Sequence, residues 1–293
     1  MASLKEIRTR ISSVKTTRQV TSAMKMVSAA KLKKAQDAIL QIRPYADKLH
    51  EILSSIGSSL ENSDESVYTQ QREPEKVLLI LISSNRGLCG AFNTNIAKTA
   101  YEFAPTKYNK HLKFGKLGFL NVGKQGEKYL KLKKMPIVGQ ANDIFDPLTF
   151  EHSSKLASNL MADFTEQKYD RIELVYNEFK NAAVQICTTE QFLPVEIAAD
   201  EEEVTTNLDF IYEPTKEQIV EELIPRSLKI QLYRALLDSN AAEQGARMTA
   251  MHKATDNATD LIKDLTLTFN KARQAAITNE ILEVTNGAEA LNG

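Results

Sequence analysis

The amino-acid sequence predicts an α/β protein carrying long extra helices: a coiled-coil helix at each end and a Rossmann-like open α/β domain between them. Three observations predict it. Eleven Gly and eight Pro in 293 residues are about half the average usage, which favours long elements with few turns. Those residues are concentrated in the middle, six of the eight Pro between Pro74 and Pro214 and seven of the eleven Gly between Gly87 and Gly139. Outside that region, apolar residues recur with a seven-residue repeat, the pattern of a left-handed coiled coil.

At the N-terminal end, steps of three and four from Leu4 visit Ile7, Ile11, Val14, Arg18, Thr21, Lys25, Ser28, Leu32, Ala35 and so on to Leu60, with thirteen of seventeen positions apolar. The four exceptions, Arg18 to Ser28, are consecutive, and beside them Val20, Met24, Met26 and Val27 offer an offset apolar set. A local mismatch of this kind predicts that the stretch touches something other than a simple helical partner. Pro44 lies inside the pattern and should kink or interrupt the helix.

At the C-terminal end the same spacing visits Met251, Ala254, Ala258, Leu261, Leu265, Thr268, Ala272, Ala275, Asn279 and Leu282. Alanine-rich, this seam predicts a closely approaching partner. Helices from Leu4 to Leu60 and from Lys229 to Asn286 would each be roughly 85 Å long, too long for a globule of this size to wrap. They must be buried by each other or by another protein, and periodicity alone fits both an intrachain antiparallel pair and a homodimer.

Between the ends, Val77 to Ile82 (VLLILI) reads as a buried strand, Asn85 to Asn93 as a turn and Thr94 to Phe103 as a helix. Lys116 to Val122 reads as a second strand, followed by helices near Lys124 to Leu130 and Ser153 to Gln167. Arg171 to Phe179 and Ala183 to Phe192 read as strands joined near Asn181. Alternating strands and helices imply a mainly parallel sheet, here with an antiparallel edge hairpin. Asp200 to Glu203 reads as an exposed acidic loop, with a strand connection as the alternative.

Composition narrows the chemistry. The longest apolar run has six residues, against roughly 20 for a membrane-spanning helix. Two distant cysteines, Cys89 and Cys187, and four scattered histidines predict a reducing compartment and no structural metal. Residues 1 to 50 hold eleven Lys/Arg against three acids, whereas Glu196 to Leu223 holds ten acids against one Lys. No base-stacking aromatics or DNA-reading motif accompany the basic helix, which argues against nucleic acid. The Arg- and Ser-rich N-terminus has transit-peptide character, but its helical pattern continues unbroken, so it reads as mature protein.

No residue set makes a catalytic, cofactor or metal site. Gly118 to Gln125 (GFLNVGKQ) matches a phosphate loop as far as the Lys, then places Gln125 where a magnesium-binding hydroxyl is needed. The Arg86 to Gly90 turn (RGLCG) lacks the three-glycine dinucleotide fingerprint and reads as a tight strand-to-helix turn. Cys89 beside it reads as a small buried side chain.

Ile277 to Ala290 (ITNEILEVTNGAEA) resembles the terminal signature of the gamma-subunit family of the F-type ATP synthase, bacterial type. Glu243 to Ile262, Asn270 to Thr278, Thr21 to Leu32 and Arg86 to Asn93 are also similar to that family, so the resemblance covers the whole chain. It implies an antiparallel coiled coil of the terminal helices over residues 1–60 and 215–290, with the α/β domain over 75–200. It also implies a non-catalytic central rotor inside a ring of three alpha and three beta subunits.

The same resemblance implies contacts of the foot with the epsilon subunit and the membrane c-ring, by position through the central domain and around Asp209 to Glu222. The chain would lie at the cytoplasmic face of the inner membrane as a peripheral subunit, without cofactor. Partner-coupling roles are implied for Met24, Lys25, Arg273, Gln274, Thr278 and Glu280, at the level of the beta-subunit catch loops, and for Arg247. The chloroplast branch's regulatory cysteine pair is absent, so thiol switching is not expected. The competing functions are a nucleotide-dependent α/β enzyme and a coiled-coil tether that binds nucleic acid through its basic helix.

Overall fold

The computed structural model describes residues 3–57, 67–195 and 216–292. The acidic stretch Asp200 to Glu203 and positions 209–215 of the expected foot lie outside the described residues. Two long helices, α1 (Leu4–Gly57) and α5 (Lys216–Asn292), bracket an α/β domain of β1 (Val77–Ile82), α2 (Phe92–Lys113), β2 (Leu117–Val122), α3 (Lys124–Leu132), β3 (Ile137–Gln140), α4 (Phe150–Thr165), β4 (Arg171–Phe179) and β5 (Gln185–Leu193). By contacts the chain divides into residues 1–28 with 248–293, and residues 29–247.

In the first unit α1 and α5 pair within one chain and run antiparallel. The Thr21 and Thr255 hydroxyls lie 2.8 Å apart, and the Arg8 guanidinium sits 5.6 Å over the Phe269 ring. The α1 seam keeps its register through the polar stretch. Thr21 and Ser28 are buried, Arg18 and Lys25 half-buried, while Val20, Met26 and Val27 of the offset set are exposed. Hydroxyls tolerate the seam because each returns a hydrogen bond to its own helix, Thr21 to the Arg18 carbonyl and Thr255 to the Met251 carbonyl.

On α5 the seam differs from expectation. The expected Met251, Ala254, Ala258, Leu265 and Ala272 are buried or half-buried, as are Thr255, Ile262 and Phe269, whereas the expected Leu261 and Thr268 are exposed. The repeat is the same but from Ala258 it steps four-then-three, through Ile262, Leu265, Phe269 and Ala272, not three-then-four. Large residues (Met251, Ile262, Leu265, Phe269) therefore mix with small ones, and alanines do not dominate.

In the second unit the sheet order is β3-β2-β1-β4-β5, parallel except for the β4–β5 edge hairpin. Both faces of β1 are covered, so it is apolar at every position, as parallel strands buried on two sides require. One face (Leu78, Ile80, Leu174, Tyr176) packs on α4, on Leu49 and Leu53 of α1, and on Leu228, Leu232 and Leu236 of α5. The other (Leu79, Leu81, Phe119, Val175) packs on Ile96, Ala100 and Ala104 of α2 and Leu130 of α3. Each fully buried large side chain contributes roughly 1.5–3 kcal/mol.

β1 and β4 match their predicted bounds residue for residue. β3 was not expected: it is a four-residue edge strand with alternating exposure and a central Gly139, so it lacks an apolar run. α2 extends past Pro105 to Lys113, with Tyr108 as a non-helical step inside it. α1 runs through Pro44 without a break in the helix.

Candidate functional site

β1 delivers the chain into two buried serines, Ser83 and Ser84, and then into the Arg86 to Gly90 turn. Leu88 and Gly90 take left-handed backbone there, with φ of 63° and 61°, which reverses the chain into α2 within a few residues. Asn93 on the first turn of α2 fastens the loop: its Oδ1 accepts from the Ser84 N–H at 3.0 Å, and its Nδ2 donates to Ser84 Oγ at 2.7 Å and to Cys89 Sγ at 3.0 Å. Burial pushes the Cys89 thiol above its ordinary pKa, against smaller opposing effects of Ser84 and Arg247. Cys89 is therefore a packed small side chain, not an activated nucleophile.

This turn lies at the carboxyl end of β1, beside β4, where the strand order reverses. Open α/β sheets bind ligands in the crevice at such a switch point. Here α5 occupies it. Ala242 and Ala246 pack with Cys89, Phe92 and Phe179, and a Cβ on Gly245 would come within 3.1 Å of Ala182 Cα, so the helix passes as close as glycine allows.

Arg247 closes the arrangement. Its Nη2 donates to the carbonyl oxygens of Arg86 at 3.1 Å and Gly87 at 3.3 Å, and its Nη1 lies 2.6 Å from Glu243 Oε1. Both side chains are about nine-tenths buried. Burial pushes the Glu243 carboxyl pKa up, and the Arg247 charge and hydrogen bond oppose that rise. A planar guanidinium suits the task because it can serve two carbonyls and a carboxylate together. The i,i+4 spacing of Glu243 and Arg247 is visible in the sequence; the carbonyl acceptors, about 160 residues away, are not.

The other expected site residues fall in two groups. Met24 and Lys25 are half-buried on α1. Arg273, Gln274, Thr278 and Glu280 are exposed on α5, with the Thr278 hydroxyl returned to the Gln274 carbonyl at 2.9 Å. From the Thr21–Thr255 and Arg8–Phe269 pairs, Arg273 stands level with the first residues of α1. It is about twenty residues, or roughly 30 Å, along the coil from Met24, so the structure does not bring the two groups together. Among the described residues, positions 275–288 lie beyond the start of α1 and are exposed, with Ile277, Ile281, Leu282 and Val284 at 48–69%.

Gly118 to Val122 of the apparent phosphate loop is the β2 strand, with its backbone in the sheet ladder. Gly123 then turns at φ +105°. No helix among the described residues is long and apolar enough to cross a membrane.

The family model described as ATP synthase matches residues 3–291. The ATP synthase gamma chain of Flavobacterium johnsoniae is 57% identical over the full length of both chains, and that of Cytophaga hutchinsonii 49%. The central stalk/c-ring structure of Tetrahymena thermophila mitochondrial ATP synthase includes a similar chain, 25% identical with a TM-score of 0.57 over 80% of this chain and 99% of that one. A chain of the Euglena gracilis mitochondrial ATP synthase OSCP/F1/c-ring structure shares the fold, at 22% identity and a TM-score of 0.70 over 98% and 94% of the two chains. This chain belongs to the ATP synthase gamma-chain family and has its central-stalk role.

Proposed function

We propose that this chain is a non-catalytic rotor whose paired helices turn inside a ring of three alpha and three beta subunits, coupling proton or sodium flow through the membrane sector to ATP synthesis or hydrolysis. The observation that carries the reading is the exposed end of α5, where a helix with apolar side chains has no partner among the described residues. Such a segment needs a sheath from other subunits. An asymmetric shaft favours a different conformation in each beta subunit, so turning it changes their nucleotide affinities in sequence.

The working parts are the helices of residues 1–60 and 215–290 and the domain of residues 75–200. Arg273, Gln274, Thr278 and Glu280 offer polar groups to the ring from one level of the shaft, and Met24 and Lys25 from another. Arg247 acts from within, by holding α5 to the loop that follows β1. The epsilon subunit and the c-ring are the partners at the foot, and the complex holds the chain at the cytoplasmic face of the inner membrane as a peripheral subunit. Occupation of the switch-point crevice by α5 argues against the nucleotide-dependent enzyme.

The test is purification of the tagged chain from its own cells, with ATPase assays before and after the partners are stripped. Recovery with alpha and beta subunits and activity confined to the complex supports the rotor. A free chain with its own turnover overturns it.

A further inference from the structure

α2 and α3 run back along one face of the sheet, and each feeds the strand that follows it. Because β2 and β3 are parallel, the two helix ends meet the sheet at the same edge. Two large apolar side chains stand out there: Phe114, 77% exposed, and Leu132, 82% exposed. Lysines flank both in sequence, as Lys113-Phe114-Gly115-Lys116 and Lys131-Leu132-Lys133-Lys134. Between Lys98 and Lys134 the chain carries ten Lys and two acids.

The helix macrodipole accounts for lysines in a last turn, such as Lys110, Lys113 and Lys131. It does not account for Lys116 and Lys134, which lie beyond the helices, or for the bare Phe114 and Leu132. Lys116 pairs with Glu75 at 3.1 Å and Lys131 with Glu127 at 2.5 Å. Lys110, Lys113 and Lys134 have no acidic partner among the described residues.

From this juxtaposition we infer that the α2/α3 edge is a docking surface for an anionic phospholipid bilayer. Phe114 and Leu132 enter the headgroup region, and the lysines around them neutralise lipid phosphates. The cations are all lysine, point charges on flexible stems suited to a diffuse anionic surface, and no arginine fork is present for bidentate reading of a particular partner. Nucleic acid fits less well, since Lys133 already lies over the Tyr101 and Tyr129 rings, at 5.4 and 6.0 Å, which leaves Phe114 as the bare ring beside these lysines. The inference names a lipid contact for the peripheral location proposed above. It is measured on the chain alone, so its failure leaves the rotor reading untouched.

The experiment is co-sedimentation of the full-length chain with vesicles of equimolar phosphatidylglycerol and phosphatidylcholine, compared with phosphatidylcholine alone. Binding is expected to the anionic vesicles and not to the neutral ones, and to weaken as salt rises. Lys110→Glu/Lys113→Glu/Lys134→Glu should weaken it by at least roughly a hundredfold, at about a fivefold factor per lysine. Phe114→Ser/Leu132→Ser should weaken it less, leaving a salt-sensitive remainder. Lys33→Glu/Lys34→Glu on the basic helix α1 is the control and should bind as the unaltered chain does. Circular dichroism confirms that each variant is folded. The inference is overturned if the chain ignores anionic vesicles, if the α1 variant alone loses binding, or if the same lysines bind DNA or polyglutamate but not vesicles.

Discussion

Arg247 Nη2 donates to the Arg86 carbonyl at 3.1 Å, tying the long C-terminal helix to the loop after the first strand of the sheet. The same guanidinium neutralises the buried Glu243 carboxylate. One side chain thus serves two carbonyls of an exposed loop and one buried charge. The family resemblance implies a coupling role for Arg247, and the geometry gives that role a physical route. The clamp and the apolar packing of Ala242 and Ala246 both fix α5 to the loop after β1.

Removal of the clamp should be costly. Arg247→Ala leaves the Glu243 charge buried and unpaired, which should destabilise the second unit by about 3 kcal/mol. Glu243→Gln keeps the carbonyl contacts and should cost much less. Urea denaturation of the purified chain measures both, and a loss under about 1 kcal/mol for Arg247→Ala would show that water replaces the guanidinium readily.

Asp238, 4% exposed, predicts a pH dependence. Burial raises its carboxyl pKa from 3.8 to about 6, with Glu178 and Glu190 adding to the rise and Arg234 and Arg43 opposing it. The folded state therefore holds a proton that the unfolded state releases, so the stabilisation is present below the ordinary pKa and is lost as pH rises from about 4 to about 6. The shift corresponds to about 3 kcal/mol. Asp238→Asn should match the unaltered chain near pH 4 and exceed it by up to that amount at pH 7.5. Denaturant midpoints across the range test this, and a gap that does not change with pH would remove Asp238 as the cause.

Glycines separate a required conformation from a tolerated one. A Cβ on Gly123, at φ +105°, would lie 2.2 Å from the Ser83 carbonyl oxygen, whereas a Cβ on Gly87 would meet nothing within 4 Å. Gly123→Ala should cost at least about 3 kcal/mol, through both strain and collision with backbone. Gly87→Ala should stay within about 0.5 kcal/mol. Thermal unfolding of the two variants side by side provides the comparison.

The features legible in the sequence are those whose cause is local. β1 and β4 are apolar runs because both of their faces are covered, and a run of that kind has visible ends. The α1 seam follows from a repeat that continues, in polar residues, through Arg18 to Ser28. The α5 seam was less legible because the sequence offers two adjacent choices at each step. Leu261 or Ile262 and Thr268 or Phe269 satisfy the same repeat, and the packing against α1 selects the second of each pair. The Arg247 clamp and the lysine-ringed edge depend on tertiary proximity. One joins residues about 160 apart, and the other gathers the ends of two helices that the chain separates by a strand.

The exposed end of α5 separates stability from coupling. Ile281 and Leu282 are 60% and 53% exposed, so Ile281→Ser/Leu282→Ser removes no packing from the free chain and should change its stability by less than about 0.5 kcal/mol. In the assembled complex those side chains would be buried by the ring, and two such losses should weaken the seating of the shaft by roughly 2–4 kcal/mol. Arg273→Ala/Gln274→Ala should likewise spare the free chain but lower coupling efficiency, because both side chains are exposed and neither has a side-chain partner among the described residues. Reconstituted complexes measured for ATP hydrolysis and for ATP-driven ion transport distinguish the outcomes. A fall in both activities together with poor recovery of the complex indicates lost seating, and retained hydrolysis with reduced transport indicates lost coupling. Full retention of both activities when the two pairs of substitutions are combined would remove this surface from the rotor's working face.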